Sequence, residues 1–305
     1  MPTRLLSRAL TQDNLRAAYA RVAQNQGAPG VDEISIRRFA RNWETQIVEL
    51  RESVRANTYK PQRLRQFQIR KPPPKIGWRT ISICTVRDRI LQRAVLNVLE
   101  EKLDAQFLDC AFGYRPGRST QGALDAVLRY RDAGLRWTLD GDIEHFFESL
   151  DHTRLLDFLR EDVDDVQIIA LIEMWLKTGR REKNQAVGTP LGMVISPLLS
   201  NVYLHRFDLA LTRLGFRLVR YADDFVILGE TRAEMEEAQR FVAWALDALR
   251  LKLAPAKTRV VSFDQGFDYL GVHFYRDTFT YIKQGKRVRA KARPAKWDFL
   301  PPEWY

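Results

Sequence analysis

Along the chain, apolar positions recur mostly at helical spacing, with a few strand-like stretches set between. Leu15, Ala18, Tyr19 and Val22 share one helical face behind a capping Thr11, and Asn25 to Asp32, with Gly27, Pro29 and Gly30, breaks that helix. A second helix is expected from about Ser35 to Asn57. The stretch from Tyr59 to Lys71 alternates residue types as a strand does, and Pro72 to Gly77 turns it into Trp78 to Ile83. These two segments read as a basic β-hairpin, or equally as a solvated edge strand kept solitary by its charge. Ile90, Leu91, Ala94, Val95, Val98 and Leu99 form the next helical stripe, and Ala123, Leu124, Val127 and Leu128 another behind Ser119. Trp137 to Ile143 reads as a buried strand ending in acid, followed by Phe146, Phe147 and a helix from about Asp151. Further helices are expected over Asp164 to Lys177 and Pro197 to Leu214. Thr231 to Glu234 forms a capping box ahead of Met235, Ala238, Val242, Ala245, Leu246 and Leu249. This order predicts an α+β layer, an antiparallel sheet with helices on one side, and there is no internal repeat.

The most informative stretch is Arg217 to Gly229, where Asp223 and Asp224 interrupt Leu218, Val219, Tyr221, Phe225, Val226, Ile227 and Leu228. Adjacent carboxylates repel and are poor strand formers, so they are expected at a hairpin tip. There they are either a solvated Asp-Asp turn or ligands for a hard cation, Mg²⁺ or Mn²⁺ rather than zinc. The second alternative needs a third carboxylate. Asp142, at the end of the Trp137 to Ile143 strand, supplies one if that strand lies beside the hairpin.

Composition narrows the partner. A chain of 305 residues with 45% hydrophobic content can bury one large or two smaller cores, which excludes a disordered protein. Lysine and arginine outnumber aspartate and glutamate, 49 to 38, and the resulting net charge of +11 favours a polyanion, if it is not simply a charge that maintains solubility. Cys84 and Cys110 form no close pair, which argues against a disulfide framework or structural zinc and fits a reducing compartment. No apolar run approaches membrane-spanning length and the N-terminus lacks a signal-peptide core, so a soluble, cytoplasmic protein with no membrane partner is expected. The Phe112 to Ser119 loop is either a plain connection or a shaped presentation of Arg115 and Arg118 to phosphate. Lys283 to Lys296 carries Lys283, Lys286, Arg287, Arg289, Lys291, Arg293 and Lys296 with no acid, a basic arm or linker suited to backbone phosphate. The aromatic end, Trp297 to Tyr305, is expected to dock on this chain or a partner.

Taken in order, these motifs resemble those of bacterial group II intron-like reverse transcriptases. Gly27 to Asp32 resembles the N-terminal extension motif of that lineage. Ile69 to Lys71 through Arg79, Thr85 to Arg89 and Phe112 to Ser119 resemble its fingers motifs. Asp142 to His152 resembles the first palm carboxylate motif, followed by Gly188 to Asn201, Tyr221 to Asp224, Lys257-Thr258 and Tyr269 to Gly271. The resemblance runs from about Asn25 to Gly271. It implies a right-hand polymerase with an N-terminal extension and fingers over 1–135, a palm over 136–282, a basic C-terminal arm or linker over 283–305, and a thumb absent or minimal.

The same resemblance implies site roles. Asp142, Asp223 and Asp224 would be catalytic and would hold two Mg²⁺ ions, or Mn²⁺ in their place, with the Ile143 carbonyl as a further ligand. Lys71, Arg79, Ile143, Phe147, Leu191, Gly192 and Lys257 would serve the nucleotide, Phe147 by crowding a ribose 2′-hydroxyl, while Phe146 is the better candidate for the core. Tyr221, Arg115, Arg118, Tyr269, Leu270 and Gly271 would face primer or template. His145 and His152 are read as structural. Leu191 departs from the family, which carries Gln there, so a polar contact to the nucleotide is missing. The implied activity is RNA-directed DNA synthesis from deoxynucleoside triphosphates on an RNA template with a DNA or RNA primer. A domesticated branch, with a CRISPR spacer integrase as partner and a role in antiviral defence, is one implication. A non-catalytic RNA-binding scaffold and a two-metal nuclease are the competing classes.

Overall fold

The computed structural model describes residues 3–70, 77–178, 186–283 and 286–291. In chain order the helices and strands are α1 Arg4–Ala9, α2 Gln12–Gln24, α3 Ile36–Phe39, α4 Trp43–Arg55, β1 Arg65–Arg70, β2 Trp78–Ile83, α5 Val86–Asp104 and α6 Thr120–Asp132. Then come β3 Trp137–Asp142, α7 Phe146–Ser149, α8 His152–Asp162, α9 Val166–Thr178, α10 Ser196–Arg213, β4 Arg217–Tyr221, β5 Asp224–Gly229 and α11 Arg232–Ala248. Four short strands follow, β6 Arg259–Ser262, β7 Phe267–Tyr269, β8 Val272–Tyr275 and β9 Thr278–Lys283, and then β10 Lys286–Ala290.

The chain forms two compact units, one of residues 1–106 and 147–202, the other of residues 107–146 and 203–305. Neither is continuous in sequence, which a linear division of the chain could not express. Local chemistry starts most helices as expected. Thr11, Ser35, Thr85, Ser119, Asp151 and Thr231 each accept a backbone N–H from the first turn they cap. The single helix expected over Ser35 to Asn57 is instead broken by a tight turn at Ala40–Asn42.

In the first unit, α2 and α5 pack together, and β1 pairs with β2 in an isolated antiparallel hairpin. Asp88, on the first turn of α5, accepts the Tyr59 hydroxyl at 2.7 Å, which in turn accepts the Trp175 indole N–H at 3.0 Å. Burial pushes the Asp88 carboxyl above its ordinary range, and the bond from Tyr59 works against that rise.

The second unit holds two antiparallel four-stranded sheets, ordered β4-β5-β3-β6 and β10-β9-β8-β7. One apolar cluster joins Val219, Val226 and Leu228 of the first sheet, Leu124 and Val127 of α6, and Phe267, Phe274 and Phe279 of the second. The opposite face of the first sheet meets α10, where the Phe207 and Phe225 rings lie 5.3 Å apart edge to face. Helices therefore cover both faces of that sheet, not one. That is why β5 reads as an unbroken apolar run from Phe225 to Leu228 and not as an alternation. The segment expected to be a basic arm or linker contributes β10, paired with β9 from Lys286 opposite Lys283 to Ala290 opposite Phe279. Its Val288 and Ala290 pack against the cluster, and that apolar contact at every second residue is what makes a strand of a lysine- and arginine-rich sequence.

Candidate active site

The pairing on which the carboxylate constellation depends is present. β3 lies antiparallel to β5, and the register sets Asp142 directly opposite Asp224, with Tyr221 of β4 opposite Asp224 on the other side. Cross-strand partners share a face, so Asp142, Asp224 and Tyr221 stand together at one end of the sheet. Asp223 sits beside them in the turn between β4 and β5.

That turn is backed by a buried charge. Ala222 adopts a left-handed backbone, φ 57°, which a residue with a Cβ enters only under constraint. Arg220, wholly buried and pointing to the opposite face from the carboxylates, bonds Asp208 of α10 through Nε at 2.7 Å and Nη2 at 2.6 Å. Its Nη1 donates to the Ala222 carbonyl at 3.0 Å, so the ion pair holds the turn that carries Asp223. The same residue anchors Cys110 to Phe112 through backbone bonds of 2.8 Å in each direction. Gly113 follows, where a Cβ would stand 2.5 Å from the Ala222 nitrogen, so only glycine allows this approach to the turn. Sequence reasoning missed this support. Its signal was an arginine directly after Leu218 and Val219 inside a strand and an aspartate at position 208 in an apolar helical stripe.

Lys257 pairs through its ammonium with the Asp142 carboxylate, which is 13% exposed. The Ala254 N–H donates to the Asp142 carbonyl at 2.8 Å and the Glu144 N–H to the Lys252 carbonyl at 2.8 Å, fixing the Leu251 to Thr258 segment beside β3. The Ile143 side chain is buried, leaving only its backbone for any ligand. Arg259 bonds Asp140 at 3.1 Å, yet burial still raises the Asp140 carboxyl above its ordinary range.

The expected primer-facing residues divide. Leu270 and Gly271 form the two-residue turn between β7 and β8, with φ of 49° and 80°, matching the mirror-image turns that suit the twist of a hairpin. Tyr269 is buried and donates its hydroxyl to the Val219 carbonyl at 3.2 Å. Burial first, then the charge of Asp224, raises its pKa well above the usual tyrosine range. Arg115 does not face outward as expected: it is buried and donates to the carbonyls of Leu108 at 2.6 Å and Ala111 at 2.9 Å, tying its own loop together. Arg118 pairs with Asp109.

The remaining expected residues lie in the first unit. Arg79 is exposed on β2 opposite Ile69. The Phe147 ring is half-buried, and its carbonyl accepts the Thr189 N–H at 2.6 Å, while Phe146 is buried as expected. The Leu191 carbonyl accepts the Ser82 N–H at 2.7 Å, and a Cβ on Gly192 would meet the Ser82 oxygen at 2.2 Å, so the Pro190 to Gly192 turn needs glycine to lie against β2. His152 bonds the Gly188 carbonyl at 2.7 Å and holds the same loop. Lys71 lies outside the described residues.

Among the described residues no three His, Cys, Asp or Glu side chains form a ready-made metal cage. Magnesium seldom asks for one: it keeps several waters and takes one or two carboxylates plus substrate phosphates. Opposed carboxylates destabilise a strand pair unless a cation intervenes, and the all-oxygen set of Asp142, Asp223 and Asp224 suits a hard divalent ion. The donor set therefore fits such an ion. No helix of the described residues is long and apolar enough to cross a membrane.

Comparison with known proteins adds the family. Residues 69–274 match the family model described as reverse transcriptase, RNA-dependent DNA polymerase. The chain is 29% identical to Protein YkfC of Escherichia coli over 322 aligned positions, which take in 90% of this chain and 84% of YkfC. It is 34% identical to the group II intron-encoded protein LtrA of Lactococcus lactis over 72% of this chain, but spans only 37% of LtrA. Among solved structures, apo telomerase from Candida tropicalis shares the fold over 70% of this chain and 53% of its own, with a TM-score of 0.54 at 12% identity.

Proposed function

The chain belongs to the reverse transcriptase family, and from that premise we propose that it extends a primer 3′-end with deoxynucleotides on an RNA template, using Asp142, Asp223 and Asp224 as its catalytic carboxylates. The observation that carries the proposal is Asp142 opposite Asp224 in register, with Asp223 in the turn between, inside the segment that matches the family.

The family works with divalent metal ions, and here Asp142, Asp223, Asp224 and the Ile143 carbonyl would hold two Mg²⁺ ions, which Mn²⁺ can replace. Such ions would supply two things: a lowered pKa for the attacking 3′-hydroxyl and stabilisation of the negative charge that develops on the departing pyrophosphate. The chain's own residues prepare that chemistry. Arg220 and Asp208 keep the Asp223 turn in one backbone conformation, so the carboxylates are positioned before substrate arrives. Lys257 neutralises Asp142 until a cation competes for it. Arg79 and Lys71 would bind the triphosphate, Arg79 through its planar fork. Phe147 would exclude a ribose 2′-hydroxyl, while Leu191 and Gly192 would offer shape and no side-chain polar contact. Tyr221, Leu270 and Gly271 would meet the primer.

Primer extension on an RNA template with Mg²⁺ and deoxynucleotides tests the proposal. Product from the wild-type chain and a loss of at least about a thousandfold in Asp223→Asn is the expected result, since such a site supplies most of its rate through the ions it holds. Equal product from the variant, or none from wild type, sinks it. Tight RNA binding with no divalent-ion site in titration would point to a non-catalytic scaffold, and loss of substrate in the absence of nucleotides to a nuclease. The resemblance to domesticated reverse transcriptases carries a finer proposal, an integrase partner in spacer acquisition. Co-purification of the two chains tests it, and their separate elution removes it.

A further inference from the structure

The second sheet of the second unit has an inner and an outer face. Phe267, Tyr269, Val272, Phe274, Phe279, Tyr281, Val288 and Ala290 point into the apolar cluster. The register then places Asp268, His273, Thr280 and Arg289 in one row across the outer face, with Arg287 opposite Ile282 in the next row. Lys291 follows directly beyond the end of β10. Arg287, Arg289 and Lys291 are exposed, and Arg289 Nε lies 3.2 Å from the Thr278 hydroxyl. The nearby carboxylates are engaged elsewhere: Asp268 with His273, Asp264 with Arg276 and Asp277 with Arg136. None of these bonds reaches the three cations.

From this arrangement we infer that the outer face of β10 is a sequence-independent grip on the phosphate backbone of a nucleic acid duplex. Alternate residues of a strand stand about 6.8 Å apart, so Arg287 and Arg289 are separated by about twice the axial rise of 3.4 Å per phosphate along one strand of a duplex. A single lysine would suffice to keep an edge strand from pairing with another chain; two arginines in line on β10, Lys291 next to its end and Thr280 in the row of Arg289 form a surface that matches a polyanion. A lipid surface fits less well, because Ile282 is the large exposed apolar residue of this face among the described residues and an interfacial anchor needs several. The sheet is rigid through its aromatic core, so the cations are held in place before binding.

The inference builds on the polymerase proposal for its biological sense, but its test does not. Affinity of the full chain for a fluorescein-labelled RNA·DNA hybrid, read by anisotropy without nucleotides from about 50 to about 200 mM potassium chloride, gives the salt slope. The triple variant Arg287→Gln, Arg289→Gln, Lys291→Gln is expected to lower that slope by about 2.7, at about 0.9 for each phosphate no longer neutralised. The conservative pair Arg287→Lys, Arg289→Lys is expected to keep it, and Arg287→Gln alone to lower it by about 0.9. The charge-matched control Arg51→Gln, Arg55→Gln, Arg160→Gln, on helices of the first unit, is expected to leave it unchanged. An unchanged slope in the triple variant overturns the inference, as does an equal fall in the control. Loss of binding to phosphatidylserine vesicles with the duplex slope intact overturns it in favour of a lipid surface. A chain that extends no primer still reports on this face, and one that extends primers with an unchanged slope removes this inference alone.

Discussion

The two sheets of the second unit share an apolar cluster and an all-antiparallel layout, yet they treat charge in opposite ways. The sheet of β4, β5, β3 and β6 carries charge inside: Arg220 and Asp208 are wholly buried, and Asp140 is mostly so. The sheet of β7 to β10 keeps its interior to stacked and edge-on aromatic rings and puts its cations on the outer face. A buried ion pair is weak evidence for stability, because desolvating two ions offsets most of their attraction. Its presence under the Asp223 turn is better explained by geometry: a strained backbone at Ala222 persists only where its surroundings over-determine it. The second sheet enters the same left-handed region at Leu270, φ 49°, and Arg276, φ 53°, so what sets the Asp223 turn apart is the buried guanidinium that bonds the Ala222 carbonyl.

The sharpest way to break this contrast is to separate the charge pair from the turn it holds. Asp208→Ala leaves the Arg220 guanidinium buried without its carboxylate and is expected to lower unfolding free energy by about 3–5 kcal/mol, with primer extension lost as well. The double variant Asp208→Leu, Arg220→Met should recover most of that stability in denaturant titration while primer extension stays low, because the Ala222 carbonyl has lost its donor. Recovery of both together would mean that the pair acts through stability only.

In the second sheet the corresponding change is a cavity. Phe274 is fully buried, with its ring 5.1 Å from that of Phe267. Phe274→Ala is expected to cost about 3 kcal/mol in denaturant titration while the nucleotide KM stays at its wild-type value. A shift in KM as large as the loss in stability would erase the distinction drawn between the sheets.

The smallest effect concerns pH. Burial raises the Asp140 carboxyl, so the folded state favours its protonated form. The contribution of this group is fully present below the ordinary aspartate pKa and is lost as pH rises through the raised value. Asp140→Asn should therefore flatten the fall of Tm over that interval, measured by thermal melts against wild type. Parallel curves for the two proteins would show that Arg259 cancels the burial.

Much of the fold was legible because its elements obey local rules. Thr11, Ser119, Asp151 and Thr231 announce helices whose apolar stripes follow at the proper spacing, and the break at Gly27 to Gly30 is equally plain. The β4–β5 hairpin could be read from two adjacent aspartates set in apolar residues, and Asp142 from its place at the end of a buried strand. Other features were hidden by competing signals. The cations of β10 masked the apolar alternation of Val288 and Ala290, and Arg115 looked like a phosphate ligand because its use of two carbonyls leaves no trace in composition.

By itself the sequence determined the candidates for the chemistry: three carboxylates in order, a basic surface, and glycines where the backbone must come close. Only the tertiary structure decided that Asp142 stands opposite Asp224, that Lys257 reaches Asp142, and that Arg220 and Asp208 lie beneath the turn. The physical reason is that residue type and spacing are properties of a short stretch of chain. Strand register and the pairing of charges join positions from a dozen to more than a hundred residues apart, and these are settled by which faces the whole unit can bury.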